Sequence, residues 1–165
     1  MKKWWLCLPL LLMLCSCGGK TDFETMSDQY FVPDAPEPAQ VNVQLPENAA
    51  VMTMENGSGG TLYLCDGYAV AVQVLEAGDL DATLRTVTGY GRDDLQLYTV
   101  QSGGVSRCAC VWACAGEGGD QVGKAVILDD GNYHYAVTVL APAEQAGEFG
   151  QQWTRILDSV ELTAE

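Results

Sequence analysis

The sequence predicts an α+β domain: an antiparallel β-sheet, built from a hairpin and a four-stranded meander, covered by two helices. Three observations carry that prediction. Six apolar or alternating runs between residues 61 and 140 are punctuated by Gly- and Asp-rich turns, and apart from one helical stretch these turns are short enough to force antiparallel neighbours. Two further segments, after residue 78 and after residue 142, place apolar residues at helical spacing. A chain of 165 residues that is 48% hydrophobic has material for one ordinary core and is not disordered throughout.

Residues 61–65 and 68–75 are apolar runs on either side of Asp66-Gly67, a two-residue hairpin signal. Gly78-Asp79-Leu80-Asp81 then opens a helix. Asp79 suits the N-cap, Asp81 suits the positive helix end, and Leu80, Leu84 and Val87 recur at helical spacing. Gly89 or Gly91 should stop it. Residues 95–100, 105–115, 122–129 and 133–140 read as four consecutive strands, turning at Gly103-Gly104, at 116–120 and at 129–132. In the closing helix Pro142 suits the first position and Glu144 the first turn. Ala146, Phe149, Trp153, Ile156 or Leu157, and Val160 form its apolar stripe. Gly147 and Gly150 each weaken it by about 1 kcal/mol relative to alanine, and Trp153 is the expected anchor against the sheet.

The first residues carry a different signal. Lys2 and Lys3 precede an uncharged apolar run from Trp4 to Leu14, too short to span ~30 Å of hydrocarbon and suited to a signal-peptide core. The run ends in Leu14-Cys15-Ser16-Cys17-Gly18. This ending resembles the lipobox of bacterial lipoproteins: Leu three places before the cysteine, a small residue directly before it, and Gly after it. The resemblance implies cleavage before Cys17 and acylation of Cys17, which would anchor the chain to the extracytoplasmic face of the cell membrane. Cys15 departs mildly from the pattern, and cleavage before it is the rival reading.

Between leader and domain, residues 18–50 hold four of the six prolines, at Pro33, Pro36, Pro38 and Pro46, with no sustained periodicity. The expected organisation is a signal peptide at 1–16, a lipidated cysteine and acidic Pro-rich tether at 17–50, and one domain at 51–165. The whole chain has 22 acidic against 8 basic side chains, or −14, and losing Lys2 and Lys3 with the leader makes this −16. Such a surplus excludes a nucleic-acid partner, which needs a basic stripe, and it repels anionic headgroups. Membrane attachment therefore falls to the lipid.

The order hairpin, helix, four-stranded meander, C-terminal helix, closing in Trp153-x-x-Ile156-Leu157-Asp158-Ser159-Val160, is similar to the PsbP-like fold family. That resemblance covers about 110 residues and implies an antiparallel sheet covered by helices. The family includes accessory proteins of photosynthetic membranes and many bacterial lipoproteins of unknown role. It supplies no catalytic residue to transfer.

Chemistry was sought in the cysteines first. Outside the leader and Cys17 the chain holds Cys65, Cys108, Cys110 and Cys114. The last three share one face of one predicted strand, with Cα atoms roughly 7 Å apart for 108 and 110 and roughly 13 Å for 110 and 114. Neither spacing suits a disulfide within the strand, and three thiolates spread along an extended segment cannot gather on one zinc. The readings left are buried thiols, a disulfide from Cys65 across to one of the three, or a redox or metal role.

Gly118-Gly-Asp-Gln-Val-Gly123-Lys124-Ala125 nearly spells a P-loop, but Ala125 lacks the magnesium-binding hydroxyl and a strand follows where a helix is required. The glycines are expected in a hairpin loop. His134, the only histidine, is expected on a strand surface, and Asp93-Asp94 and Asp129-Asp130 are expected to cap turns. No cofactor and no metal are implied. The expectation is a membrane-anchored envelope lipoprotein with a non-catalytic binding or accessory domain, for a protein or a small ligand. The alternative is a thiol-based redox or metal-binding module built on Cys65, Cys108, Cys110 and Cys114.

Overall fold

Strand and helix order follow the alternation of the sequence closely. The computed structural model describes residues 36–53, 60–116 and 118–163. Nine strands are present among them: β1 (Gln40–Asn42), β2 (Ala50–Thr53), β3 (Gly60–Leu64), β4 (Ala69–Glu76), β5 (Gln96–Ser102), β6 (Val105–Gly116), β7 (Gly119–Asp129), β8 (Tyr133–Pro142) and β9 (Glu161–Thr163). Two α-helices, α1 (Leu80–Thr88) and α2 (Gly150–Asp158), and a 3-10 turn at Arg92–Asp94 complete the set.

Seven strands form one antiparallel sheet in the order β2-β3-β4-β8-β7-β6-β5. The meander β5 to β8 is continuous, and the β3–β4 hairpin joins it through β4 against β8. The chain therefore leaves β4 at one side of the meander and enters β5 at the other. Helix α1 makes that crossing, so it lies on one sheet face while α2 lies on the opposite face.

Each helix builds its own core. Under α2, Trp153, Ile156, Leu157 and Val160 pack on Val126, Leu128, Tyr135, Val137 and Val139, and Trp153 is fully buried as its spacing predicted. Under α1, Leu84 packs on Cys108, Cys110, Trp112, Ala125, Ile127 and Ala136. Asp79 is the N-cap of α1, its carboxylate accepting from the Asp81 N–H at 3.1 Å. Gly89, at φ 82°, ends the helix in the left-handed region.

Two expectations are corrected. The closing helix begins at Gly150 rather than at Pro142, because Pro142 still belongs to β8, opposite Gln121, and residues 143–149 are turns. Gly147 and Gly150 in the expected first turns oppose an earlier start. The stretch 36–49, expected in the tether, packs on the domain instead. Gln40–Asn42 pairs with Glu161–Thr163, Ala39, Val41, Val43 and Leu45 rest on the α2-side core, and the Ala39 N–H donates to the Tyr135 hydroxyl at 2.9 Å. A three-residue strand next to prolines is too short to announce itself by periodicity. Among the described residues no helix is long and apolar enough to cross a membrane. Cys17 and the leader lie outside the described residues.

Candidate functional site

Strand β6 carries Cys108, Cys110 and Cys114 on the α1 face. Cys108 and Cys110 are each 4% exposed, sealed beneath Leu84. Burial pushes the Cys110 thiol up to about 11, the neighbouring Cys108 adds to this, and a hydrogen bond with the backbone of Ala125 only partly offsets it. Such a thiol is protonated at neutral pH and is a poor nucleophile and metal ligand.

Cys65 lies at the tip of the β3–β4 hairpin, on the α2 side. Strands β4, β8 and β7 stand between β3 and β6, so Cys65 is four strand spacings, roughly 19 Å, from the other three. The cross-sheet disulfide considered from sequence is therefore ruled out. The reason is that the hairpin joins the meander at β8, the side away from β6. Burial raises the Cys65 thiol, opposed by its hydrogen bond with the Tyr68 side chain. All four domain cysteines are free, and no group of three or more metal-binding side chains occurs among the described residues.

His134 is not a surface residue. It is 2% exposed, and its Nδ1 shares a buried 2.6 Å hydrogen bond with Thr83 Oγ1 of α1. Asp129 Oδ2 lies 3.7 Å from Nε2. The row Thr83, His134, Asp129 has the residue types of a nucleophile, a base and its orienter. However, Thr83 is only 5% exposed and lines neither the cleft beside α1 nor the groove beside α2, so its hydroxyl is placed as a structural partner of His134 and not as a nucleophile. What the row does is fasten α1 to the end of β8. Sequence reading missed this because it needs the α1 crossing to bring residues 83 and 134 together.

Of the two acidic pairs, Asp129-Asp130 caps its turn as expected, whereas Asp93-Asp94 lies exposed in the 3-10 turn. Asp129 accepts from the Gly131 N–H at 2.8 Å, and Asp130 accepts from the N–H groups of Asn132 and Tyr133, each at 2.8 Å. The near-P-loop glycines are structural too. Gly119 turns the β6–β7 hairpin at φ 118°. Gly123 lies in β7 opposite Trp112, whose ring occupies the space that any Cβ added there would need.

Each face of the large sheet carries an opening beside its helix. Beside α1, a cleft of about 270 Å³ is lined by Leu62, Ala71, Val87, Trp112, Cys114 and Leu140. Its lining holds neither a charged side chain nor a histidine, so Cys114 has no base or cation there to activate it.

Beside α2 lies a groove of about 760 Å³, within the range of ordinary ligand sites. Its floor is β5 to β7 and its wall is α2, which is nine residues long and packs mainly over β7 and β8. Tyr98 and Val111 rise from the floor at 72% and 53% exposure. Arg107 donates to the Leu157 carbonyl at 2.6 Å and lies 3.9 Å from Asp158, so it is already committed to the end of α2. Lys124 sits over the Trp153 ring, Nζ 6.0 Å from its centroid, and has no carboxylate within ion-pair distance among the described residues. Thr154 offers a hydroxyl at the wall. The groove thus joins exposed apolar side chains to one uncommitted cation, with Asp158 set against Arg107 and Asp94 at its rim.

With this geometry the comparisons give the class of fold. No protein-family profile matches the chain, and no curated protein sequence does. The solution structure of cyanobacterial PsbP (CyanoP) from Synechocystis sp. PCC 6803 is similar, with TM-score 0.56 and 12% identity, over 92% of this chain and 99% of that one. A crystal structure from Bacteroides thetaiotaomicron VPI-5482 gives TM-score 0.50 and 14% identity over 76% of this chain. The match spans less than half, 46%, of that protein's length. LpqN of Mycobacterium tuberculosis, described as involved in cell envelope biogenesis, reaches only TM-score 0.46 at 12% identity, over 78% and 87% of the two chains, and carries no argument. The chain has the PsbP-like α+β fold; identities this low establish the fold alone.

Proposed function

We propose that this protein is a lipid-anchored envelope accessory protein, held to the membrane through Cys17, whose domain acts by binding rather than by chemistry. We infer that the groove beside α2 receives a small amphiphilic anion, an apolar body bearing one negative group. The observation that carries the binding half is the convergence of Tyr98, Val111 and Lys124 on one opening of about 760 Å³. An anion reaching Lys124 meets the one groove cation without an acidic partner, and the apolar body covers side chains that otherwise face water. The sealed thiols and the sealed His134 support binding over thiol or acyl-transfer chemistry. The lipobox resemblance at Leu14–Cys17 supports the anchor.

A titration with 1-anilinonaphthalene-8-sulfonate, itself an apolar anion, tests the groove. Fluorescence should rise on binding to the folded protein. Val111→Asp, an exposed change that sets a negative charge on the floor, should weaken binding about tenfold or more. Lys124→Met should weaken it as well, and affinity unchanged in both variants would reject the groove as the site.

A further inference from the structure

The two ends of the seven-stranded sheet are not alike. One is β2, four residues long; the other is β5, the seven residues Gln-Leu-Tyr-Thr-Val-Gln-Ser, with no charge, proline or glycine. An edge strand presents a row of unpaired backbone donors and acceptors, which folded proteins usually blunt with lysine, proline, a bulge or a covering element. Among the described residues strand β5 is blunted in none of these ways. It pairs with β6 residue for residue, from Gln96 opposite Val111 to Ser102 opposite Val105, without a bulge, and six of its seven side chains are exposed.

We propose that β5 is the seat of a second copy of this chain, paired antiparallel about a two-fold axis at Thr99, so that the two sheets become one. The strand is self-complementary in that register. Tyr98 falls opposite Val100 of the second copy, and Val100 opposite its Tyr98, giving aromatic to β-branched pairs twice over on one face. Thr99 meets Thr99, Leu97 meets Gln101, and Gln96 meets Ser102, so no charge is opposed anywhere. The flanks decide the occupant. Asp93 and Asp94 precede β5, and Gly103 and Gly104 follow it. Antiparallel self-pairing sets each acidic pair beside the other copy's glycine turn and holds the two acidic pairs at opposite ends. In a chain of −14 this uncharged strand is where two copies meet with least repulsion. Pairing of one strand lies near the lower end of specific interfaces, about 1,000 Å², so the dimer is weak and reversible. It is independent of the anion inferred for the groove, although the axis would set both grooves on one face of the joined sheet.

The test is oxidation of the full chain carrying Thr99→Cys, in membranes of expressing cells, read on non-reducing gels against wild type with its own cysteines. Facing residues at the axis of an antiparallel pair have Cα atoms about 4.5–5.5 Å apart, within disulfide range. A band at twice the chain's mass is expected, reversed by reductant. Gln101→Cys is the register control, because residues 101 of the two copies would lie four positions, roughly 13 Å, apart along the strands and should not cross-link. Equal cross-linking of both variants, or none with Thr99→Cys, would overturn the pairing. So would an adduct of any other mass, which would assign β5 to the strand of a different protein. Sedimentation of the wild-type full chain in detergent should show a monomer–dimer equilibrium that Thr99→Lys abolishes. A monomer at every concentration would also overturn the proposal.

Discussion

Tyr135 and Asp130 show how much one contact holds. The fully buried Tyr135 donates its hydroxyl hydrogen to Asp130 Oδ2 at 2.7 Å, and its oxygen accepts from Ala39, tying residues 36–42 to the domain. Burial alone would raise the Asp130 carboxyl, but the bond from Tyr135 and those from the N–H groups of Tyr133 and Asn132 outweigh it and hold it below the ordinary value. A carboxyl lowered by folding stabilises the fold fully above its unfolded-state pKa, and that contribution fades as pH falls through the lowered folded value. Asp130→Asn should therefore lower the melting temperature at pH 7, with the gap to wild type closing as the pH drops below about 4. A gap that widens on acidification would contradict this. The thiols make a second residue-scale case. Native protein at pH 8 should leave Cys108 and Cys110 unmodified by iodoacetamide until denaturant is added, because one is sealed and the other is both sealed and raised to about 11. Rapid alkylation of Cys110 in the folded state would restore the redox reading.

At the scale of elements, the pairing of β6 with β7 depends on a glycine. The Trp112 ring fills the space beside Gly123, and a methyl group there would meet a rigid ring packed in the core beneath α1. Gly123→Ala should cost about 1–3 kcal/mol, read by denaturant unfolding, whereas Gly118→Ala, which meets nothing within 4 Å, should cost less. Equal costs would remove Trp112 from the explanation. The same glycine counted in the sequence as part of a near P-loop, and only the strand register shows that it makes room for an aromatic ring. Local signals were readable where they are strong: Asp79 and Gly89 bound α1, Asp66-Gly67 turns a hairpin, and β6 to β8 show in the sequence as apolar runs between glycine- and aspartate-rich turns. What stayed hidden depends on long-range placement. Strands β1 and β9 are three residues each and exist only because they meet. His134 is buried because α1 crosses the sheet, and the groove opens where the nine residues of α2 leave Tyr98 and Val111 uncovered.

For the whole molecule, two faces of one sheet have different work. The α1 face seals Cys108, Cys110 and His134, while the α2 face keeps its floor open around Tyr98, Val111 and Lys124. In the anchoring we propose, the excess of acid over base leaves a lipid, not a charged surface, to hold this domain at a membrane. Cys17→Ala should move the protein from the membrane to the soluble fraction of fractionated cells, and full retention of the variant would refute the anchor. Binding at the α2-side groove is the claim on which the functional reading stands, and it is tested most directly by mapping amide shifts as 1-anilinonaphthalene-8-sulfonate is added to isotope-labelled protein. Saturable shifts gathered on Tyr98, Val111, Lys124 and Thr154 are the expected result. Shifts centred instead on Leu62, Val87 and Leu140, in the cleft of the opposite face, or no saturable shifts at all, would contradict it.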